Sequence, residues 1–212
     1  MKDPEIIMAR ATWLFDINTL NRGVAVGPAY RALAERYQFL KQPSPSDFQD
    51  ASKGLRYSGG TFGSKPALDV GLQIFSDGLV ADMQTSTRHA EAFLMDALLW
   101  ANREFGFSAP EELTIVKQYH SRLTFFPDSD LLAVCEKFQA WAALLEEFEP
   151  AGSSDKQWLT SIGYRPNADA QASFMIERRD KTPFSQNKFY SYAAMHTDRH
   201  IELLEKLEAS LK

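Results

Sequence analysis

Residues 68–105 decide the fold, and they read LDVGLQIFSDGLVADMQTSTRHAEAFLMDALLWANREF. The first part predicts a β-hairpin that turns at Asp77 and Gly78, because a type I′ turn needs positive φ at both positions and this pair tolerates it. Such a turn would place Ile74 opposite Ala81. Alternation along the two strands then puts six apolar residues on one face of the hairpin. They are Val70, Leu72, Ile74, Leu79, Ala81 and Met83.

The second part of this stretch predicts a long amphipathic helix that follows the hairpin directly. Thr85, Ser86 and Thr87 are candidate caps, because a side-chain oxygen accepts hydrogen bonds from the free amides of a first turn. Gly106 is well placed to end the helix in a left-handed conformation. The apolar residues recur every three or four positions, which is the helical period. They are Ala90, Phe93, Leu94, Ala97, Leu98, Ala101 and Phe105.

Four apolar residues of the same stretch fall outside these two faces. Met95 and Leu99 lie off the helical stripe, while Phe75 and Val80 share the outer face of the hairpin. Either the helix and hairpin are buried on more than one side, or these residues form a surface for a protein partner. We therefore predict Met95, Leu99, Phe75 and Val80 as the partner-binding residues.

The composition is that of a folded protein, with 44% hydrophobic and 24% charged residues among 212. No apolar run approaches the roughly 20 residues that span a bilayer, and the start MKDPEIIMARATW lacks the layout of a signal peptide. We therefore expect a cytoplasmic protein without membrane attachment. The net charge of −5 argues against general affinity for nucleic acid. The single cysteine, Cys135, excludes an intrachain disulfide and a cysteine-based metal cage.

The order of predicted elements is strand, helix, strand, strand, strand, helix, and it occurs twice. Arg88 and Arg199 each begin an Arg-His-x-Glu sequence at the start of a predicted helix, and 199 minus 88 gives an offset of 111. Three matching letters also arise by chance, so duplication and coincidence both stay open. The expected fold is α+β, with an antiparallel β-sheet packed with helices. Its halves would be residues 1–107 and 108–212 of one compact pseudo-twofold domain.

Other elements are predicted from apolar periodicity and from proline and glycine breaks. The expected strands are 9–17, 55–62, 113–126, 158–164, 172–178 and 188–195, and the expected helices are 28–40, 131–148 and one that begins at Asp198. Cys135 falls on the apolar stripe of the second of these helices, where an inert core thiol is the simplest explanation.

Two motifs resemble ligand sites without meeting their requirements. His196 and His200 stand four apart, as two zinc ligands on a helix do, but Thr197 occupies the place of the catalytic glutamate and no third ligand is indicated. Residues 58–65, SGGTFGSK, contain glycines and a lysine, but Ser64 separates that lysine from the last glycine, unlike in a phosphate loop. We expect neither a metal nor another cofactor. Capping explains the histidines, with His89 and His200 in equivalent places, and hairpin turns explain the glycines.

A basic cluster is predicted around the last hairpin. Its members are Arg178, Arg179, Lys181 and Lys188. Basic residues interleaved with aromatic ones can follow a nucleic-acid strand. Acidic neighbours dilute the charge, however, and alternating signs are typical of a solvated strand edge. Nucleic-acid binding is therefore the less favoured interpretation of this cluster.

Two functional hypotheses remain. The favoured one is a non-catalytic protein-interaction or assembly subunit, which associates with itself or acts as an adaptor, because no catalytic motif is present. The alternative is a small-molecule-binding or enzymatic domain that uses a groove between the two halves. Tyr119, His120, Tyr164 and His196 would supply the polar contacts of that groove.

Overall fold

The computed structural model describes residues 1–49, 53–132, 159–166 and 173–210, and within them the fold is α+β. The described residues form an eight-stranded antiparallel sheet and four α-helices, so the predicted fold class is confirmed. The strands are β1 (Lys2–Leu14), β2 (Leu55–Phe62), β3 (Leu68–Phe75), β4 (Gly78–Met83), β5 (Val116–Phe126), β6 (Ser161–Tyr164), β7 (Phe174–Arg178) and β8 (Phe189–Ala193). The helices are α1 (Ile17–Asn21), α2 (Val26–Arg36), α3 (Thr87–Phe105) and α4 (Thr197–Ala209).

The sheet has the strand order β2-β3-β4-β1-β5-β8-β7-β6. The chain divides into two compact units, and β1 and β5 contribute residues to both. The first unit comprises Ile6–Ser121 and Met195–Thr197, and the second comprises Met1–Glu5, Arg122–Ala194 and Asp198–Lys212. The division into residues 1–107 and 108–212, and the internal duplication, stay predictions.

The hairpin of the first unit has the predicted faces but a different turn. Phe75 pairs with Gly78 and Ile74 with Leu79, so the turn residues are Ser76 and Asp77 and the predicted register is wrong. The shift is two residues, which preserves the alternation of a strand. All six apolar residues of the predicted inner face are therefore buried.

Contact with β1 explains this register. The amide of Phe15 donates to the Asp77 carbonyl at 3.0 Å, and a Cβ atom on Gly78 would lie 2.1 Å from the Trp13 carbonyl oxygen. Asp77 is not among the described residues with positive φ, so the type I′ turn is also wrong. The neighbouring strand, and not the turn dipeptide, sets the pairing.

Helix α3 confirms its predicted caps and its predicted apolar stripe. The Ser86 side chain caps the start by accepting from the His89 amide at 3.1 Å. Gly106 ends the helix in the left-handed region, at φ 69°. The stripe is buried except for Phe105, which is half-buried, and Trp100 is buried as well. Together with α2 and the inner face of the sheet, α3 encloses the core of the first unit.

The second unit contains the later part of β5, then β8, β7 and β6, with most of α4. Strand β7 pairs antiparallel with both β6 and β8. Strand β1 begins at Lys2, well before the predicted residue 9. The prediction missed this start because the first residues of the strand are polar and show no apolar alternation. Glu5, for example, accepts from the Thr124 hydroxyl at 3.2 Å. The predicted helix 131–148 and Cys135 lie outside the described residues, apart from residues 131 and 132, which form a turn.

Candidate functional site

The glycine-rich run forms a bulge in strand β2. The pairing of β2 with β3 shifts between Tyr57 and Gly60, and Gly59 adopts a left-handed φ of 67°. A Cβ atom on Gly60 would lie 2.4 Å from the Phe39 ring, so only glycine lets this ring pack onto the strand. The run serves as strand structure and not as a phosphate loop.

A short segment after α2 pairs with this bulge. Lys41 and Ser58 exchange two backbone hydrogen bonds of 3.1 Å, and the Thr61 amide donates to the Tyr37 carbonyl at 2.7 Å. Extended backbone alternates its side chains, so Phe39 is buried while Leu40 is 85% exposed. The predicted helix 28–40 is wrong in its last residues, because α2 ends at Arg36. Leu40 therefore lies outside the core that helical periodicity assigned to it.

Leu40 borders an open groove of about 690 Å³ on the first unit, which we name the Leu40 groove. Its apolar lining residues are Ile7, Met8, Leu40, Val70 and Met83, of which Val70 and Met83 are buried in the core. Its polar lining residues are Gln38, Ser58, Thr61, Asp69, Asp82 and Gln84. The Asp82 carboxylate accepts two hydrogen bonds from Arg10, at 2.7 and 2.8 Å. Within the described part of the chain, no lysine, arginine or histidine lines the groove.

The four predicted partner-binding residues also belong to the first unit, and none lines the Leu40 groove. Leu99 is 38% exposed on α3, while Met95 is half-buried and packs against the core. Phe75 is half-buried at the mouth of a different cavity. Val80 lies on the outer face, as expected, but is only 9% exposed. Of the four, Leu99 presents the clearest surface.

A polar cluster in the first unit brings together Tyr119 and His196. The two rings stack with their centroids 3.8 Å apart, and His196 Nδ1 lies 3.0 Å from the Thr87 hydroxyl. Lys117 Nζ donates to the Glu91 carboxylate at 2.8 Å. Sequence reasoning named Thr87 only as a candidate cap and assigned neither Glu91 nor Lys117 to a site. The alternation of β5, which places Lys117 and Tyr119 on one face, could have indicated the last of these.

The ionisation of this cluster suits hydrogen bonding better than proton abstraction. Burial, and then the hydrogen bond to Glu91, raises the pKa of Tyr119 to about 12. Burial also raises the pKa of Glu91, but hydrogen bonds from Lys117 and Tyr119 outweigh it, so this pKa lies below its ordinary value. At neutral pH Tyr119 is therefore a protonated donor and Glu91 an ionised acceptor.

The two remaining residues of the predicted ligand groove lie elsewhere. His120 is half-buried in β5, next to Tyr119 in sequence, where strand alternation directs the two side chains to opposite faces. Tyr164 belongs to β6 of the second unit, is 63% exposed and lies near Phe174, with ring centroids 6.3 Å apart. A groove between the halves stays a prediction.

Thr87, which hydrogen-bonds His196 of this cluster, exchanges capping hydrogen bonds with Thr197 at the starts of α3 and α4. The amide of Thr87, the first residue of α3, donates to the Thr197 hydroxyl, and the amide of Thr197, the first residue of α4, donates to the Thr87 hydroxyl, each at 3.1 Å. Both threonines belong to the first unit and are buried. First-turn amides have no partner within their own helix, so this exchange satisfies two buried donors.

Replacing Thr87 with valine is expected to lower the free energy of unfolding by about 2 kcal/mol, because it leaves the Thr197 amide buried without an acceptor. Urea unfolding followed by circular dichroism measures the loss. Thr87→Ser keeps the hydroxyl and is the matched control. The double variant Thr87→Val/Thr197→Val should lose slightly less than the sum of the single losses, because either single change already removes the contact of 3.4 Å between the two hydroxyls. Equal stability of the valine and serine variants would contradict the capping role.

The two histidines of the motif with four-residue spacing have different roles. His196 stacks on Tyr119 in the first unit, whereas His200 is fully buried in the second and hydrogen-bonds Ser191 at 2.8 Å. The predicted equivalence of His89 and His200 is wrong, because His89 is exposed on the surface of α3. Among the residues that the structure describes, no group of three or more histidine, cysteine, aspartate or glutamate side chains is placed to hold a metal.

Only part of the predicted basic cluster is exposed to solvent. Arg178 is 7% exposed, forms an ion pair with Asp130 and stacks its guanidinium 5.0 Å from the Phe189 ring centroid. Its place in a nucleic-acid patch is therefore wrong. Lys188 is half-buried, with Nζ 5.1 Å from the Phe126 ring centroid. Only Arg179 and Lys181 are exposed.

The fold and these sites define an α+β sheet protein that carries an open, apolar and acidic groove on one unit. No family model matches the chain, and no curated protein matches its sequence. Across the described ranges, none of the helices has the length and apolar character needed to cross a membrane.

Proposed function

We propose that this chain is a non-catalytic protein-interaction subunit that binds a protein partner through the Leu40 groove. The observation that carries the proposal is the 85% exposure of Leu40 beside a groove in which Ile7 and Met8 supply further apolar surface. Single exposed leucines are ordinary, but one that adjoins an apolar depression offers a contiguous surface. Burying such a side chain contributes about 1.5–3 kcal/mol to binding.

The charge of the groove favours one kind of partner segment. Asp69 and Asp82 are its charged lining residues, and Asp82 is already paired with Arg10. A partner that brings an apolar side chain against Leu40 and a lysine or arginine towards Asp69 would complement both features. Segment 37–41 already pairs with β2 at this place, so side chains and not an added strand would make the contact.

The polar cluster supports the absence of catalysis in this proposal. Glu91 is held by Lys117, and the raised pKa of Tyr119 makes it a poor base at neutral pH. The stack of Tyr119 on His196 is the one observation that favours the alternative, a small-molecule-binding or enzymatic domain. We also propose that the protein is cytoplasmic and that its partner could be a second copy of the chain.

A peptide selection tests the docking surface. Displayed random peptides are selected on the immobilised protein, and the affinity of synthesised hits is measured by fluorescence anisotropy. We expect hits that combine apolar and basic residues. Leu40→Ser should weaken their binding by at least about tenfold, as the loss of a buried leucine implies. Leu99→Ser is the matched control, because it removes an exposed leucine of the same unit outside the groove.

The same variants separate the other outcomes. If Leu99→Ser abolishes binding and Leu40→Ser does not, the α3 face with Met95 is the docking surface and the groove is not. Light scattering of the wild type at rising concentration tests for self-association. An oligomer that Leu40→Ser dissociates would make a second copy of the chain the partner. No selected peptide and no oligomer would refute the groove as a docking surface.

A further inference from the structure

The first unit has two further cavities beside α1, α2 and the sheet, which we name the inner and the outer chamber. The inner chamber is about 60 Å³, and its walls are side chains of the core such as Leu20, Leu33 and Leu98. The outer chamber is about 280 Å³ and opens beside Phe48. Both chambers are lined by Ile17, Val26, Tyr30 and Ile74, so these four residues form a wall that the two chambers share.

The walls of the outer chamber suit a flat apolar molecule. Tyr30, Phe48 and Phe75 contribute aromatic rings, and those of Tyr30 and Phe48 lie 5.8 Å apart at 41°. Aromatic rings stack at such separations, and a dry apolar cavity of about 150 Å³ is enough to bind benzene. Phe48 is 51% exposed, so a ligand in the chamber would remove apolar surface from water.

The polar groups at the mouth select the charge of the ligand. Asp47 lines the outer chamber, and its Oδ2 accepts from the Ser44 amide at 2.7 Å and from the Ser44 hydroxyl at 2.8 Å. These bonds, and to a smaller extent the charge of Lys53, hold the pKa of Asp47 below its ordinary value, so the Asp47 carboxylate that lines the chamber is ionised. That charge attracts an ammonium or N–H group and repels a carboxylate.

We infer that the outer chamber binds a small aromatic molecule with a neutral or cationic nitrogen, its ring against the Tyr30–Phe48 pair and Phe75 and its nitrogen towards Asp47. The outer chamber would hold the ring, since the 60 Å³ of the inner chamber is too small for one. None of the residues that line this cavity lines the Leu40 groove, so the inference does not rest on the proposed function.

Nuclear magnetic resonance titration of the full chain tests the inference with indole, benzylamine and benzoate as probes. Indole and benzylamine should shift the methyl resonances of Ile17, Val26 and Ile74, which line both chambers. Benzoate, which has the size of benzylamine and the opposite charge, should bind at least about tenfold more weakly, and Asp47→Asn should reduce that difference. Val26→Phe should abolish binding by filling part of the outer chamber, which Val26 lines.

A second variant at the surface keeps the test valid if Val26→Phe does not fold. Phe48→Ala removes an exposed wall of the outer chamber, and it should weaken indole binding while the remaining spectrum stays that of the folded protein. Leu40→Ser, outside the cavity, should bind indole like the wild type. Methyl resonances that do not move up to the solubility of indole, or that move equally in Val26→Phe, would overturn the site. Equal binding of benzoate and benzylamine would overturn the role of Asp47.

Discussion

Replacing Gly78 with alanine is expected to lower the free energy of unfolding by about 3–5 kcal/mol, which combines overpacking with backbone strain. A Cβ atom at this position would lie 2.1 Å from the Trp13 carbonyl oxygen and 3.0 Å from Leu14 Cα. Both neighbours are backbone atoms of β1, so no rotation of a side chain can relieve the clash. The φ of 153° is also one that residues other than glycine rarely adopt.

Gly106→Ala is the matched control for this prediction. Gly106 also has a positive φ, 69°, but a Cβ atom there would meet no atom within 4 Å. It should therefore lose only the backbone term, about 1–2 kcal/mol. Urea unfolding measured by circular dichroism compares the two variants. Equal losses would show that the approach of β1 does not make glycine necessary at position 78.

The hairpin shows why its faces could be predicted from sequence although its turn could not. Side chains alternate with a period of two, so a register error of two residues leaves Leu72 and Ile74 on the same face. The correct register depends on a third strand, because β1 contacts Gly78 and hydrogen-bonds the carbonyl of Asp77. The sequence of the hairpin alone does not indicate this contact with β1.

The candidate sites were less predictable because each depends on residues that the fold brings together. Leu40 continued the apolar period of α2, but Gln38 adopts a positive φ of 53° and the chain turns to pair with β2. Tertiary pairing thus overrides the helical pattern. Tyr119 and His196 were both proposed as ligand contacts from residue type alone. Their stacking, and the mutual capping of Thr87 and Thr197, required the positions of two helix starts.

Stability at acid pH is expected to depend on His200, whose imidazole is fully buried in the second unit. Burial lowers the pKa of His200 to about 4 from an ordinary value of 6.5. Hydrogen bonds fix the tautomer of the neutral ring: the Ser191 hydroxyl donates to the Met175 carbonyl at 2.8 Å and therefore accepts from Nε2–H of His200. A second proton would place a charge in the core, close to the positive end of α4.

The direction in which the free energy of unfolding changes with pH depends on whether the folded or the unfolded state binds the proton. Between pH 6.5 and about pH 4 the unfolded chain protonates His200 while the folded protein does not, so the free energy of unfolding falls as the pH falls. One proton over this interval corresponds to a loss of about 3 kcal/mol, which is complete near pH 4. Urea unfolding at several pH values gives the slope for the wild type and for His200→Gln. The carboxylates contribute equally to both, so the difference between the slopes belongs to His200.

His89→Gln is the control, because His89 is exposed and its replacement should leave the slope unchanged. The ring-proton resonances of His200 give a measurement that does not depend on a variant folding. They should stay those of a neutral imidazole down to about pH 5, well below the range in which an exposed histidine titrates. A midpoint near 6.5 for these resonances would refute the buried neutral imidazole. So would a slope in His200→Gln equal to that of the wild type, because the unfolded chain would then gain no proton that the folded protein excludes.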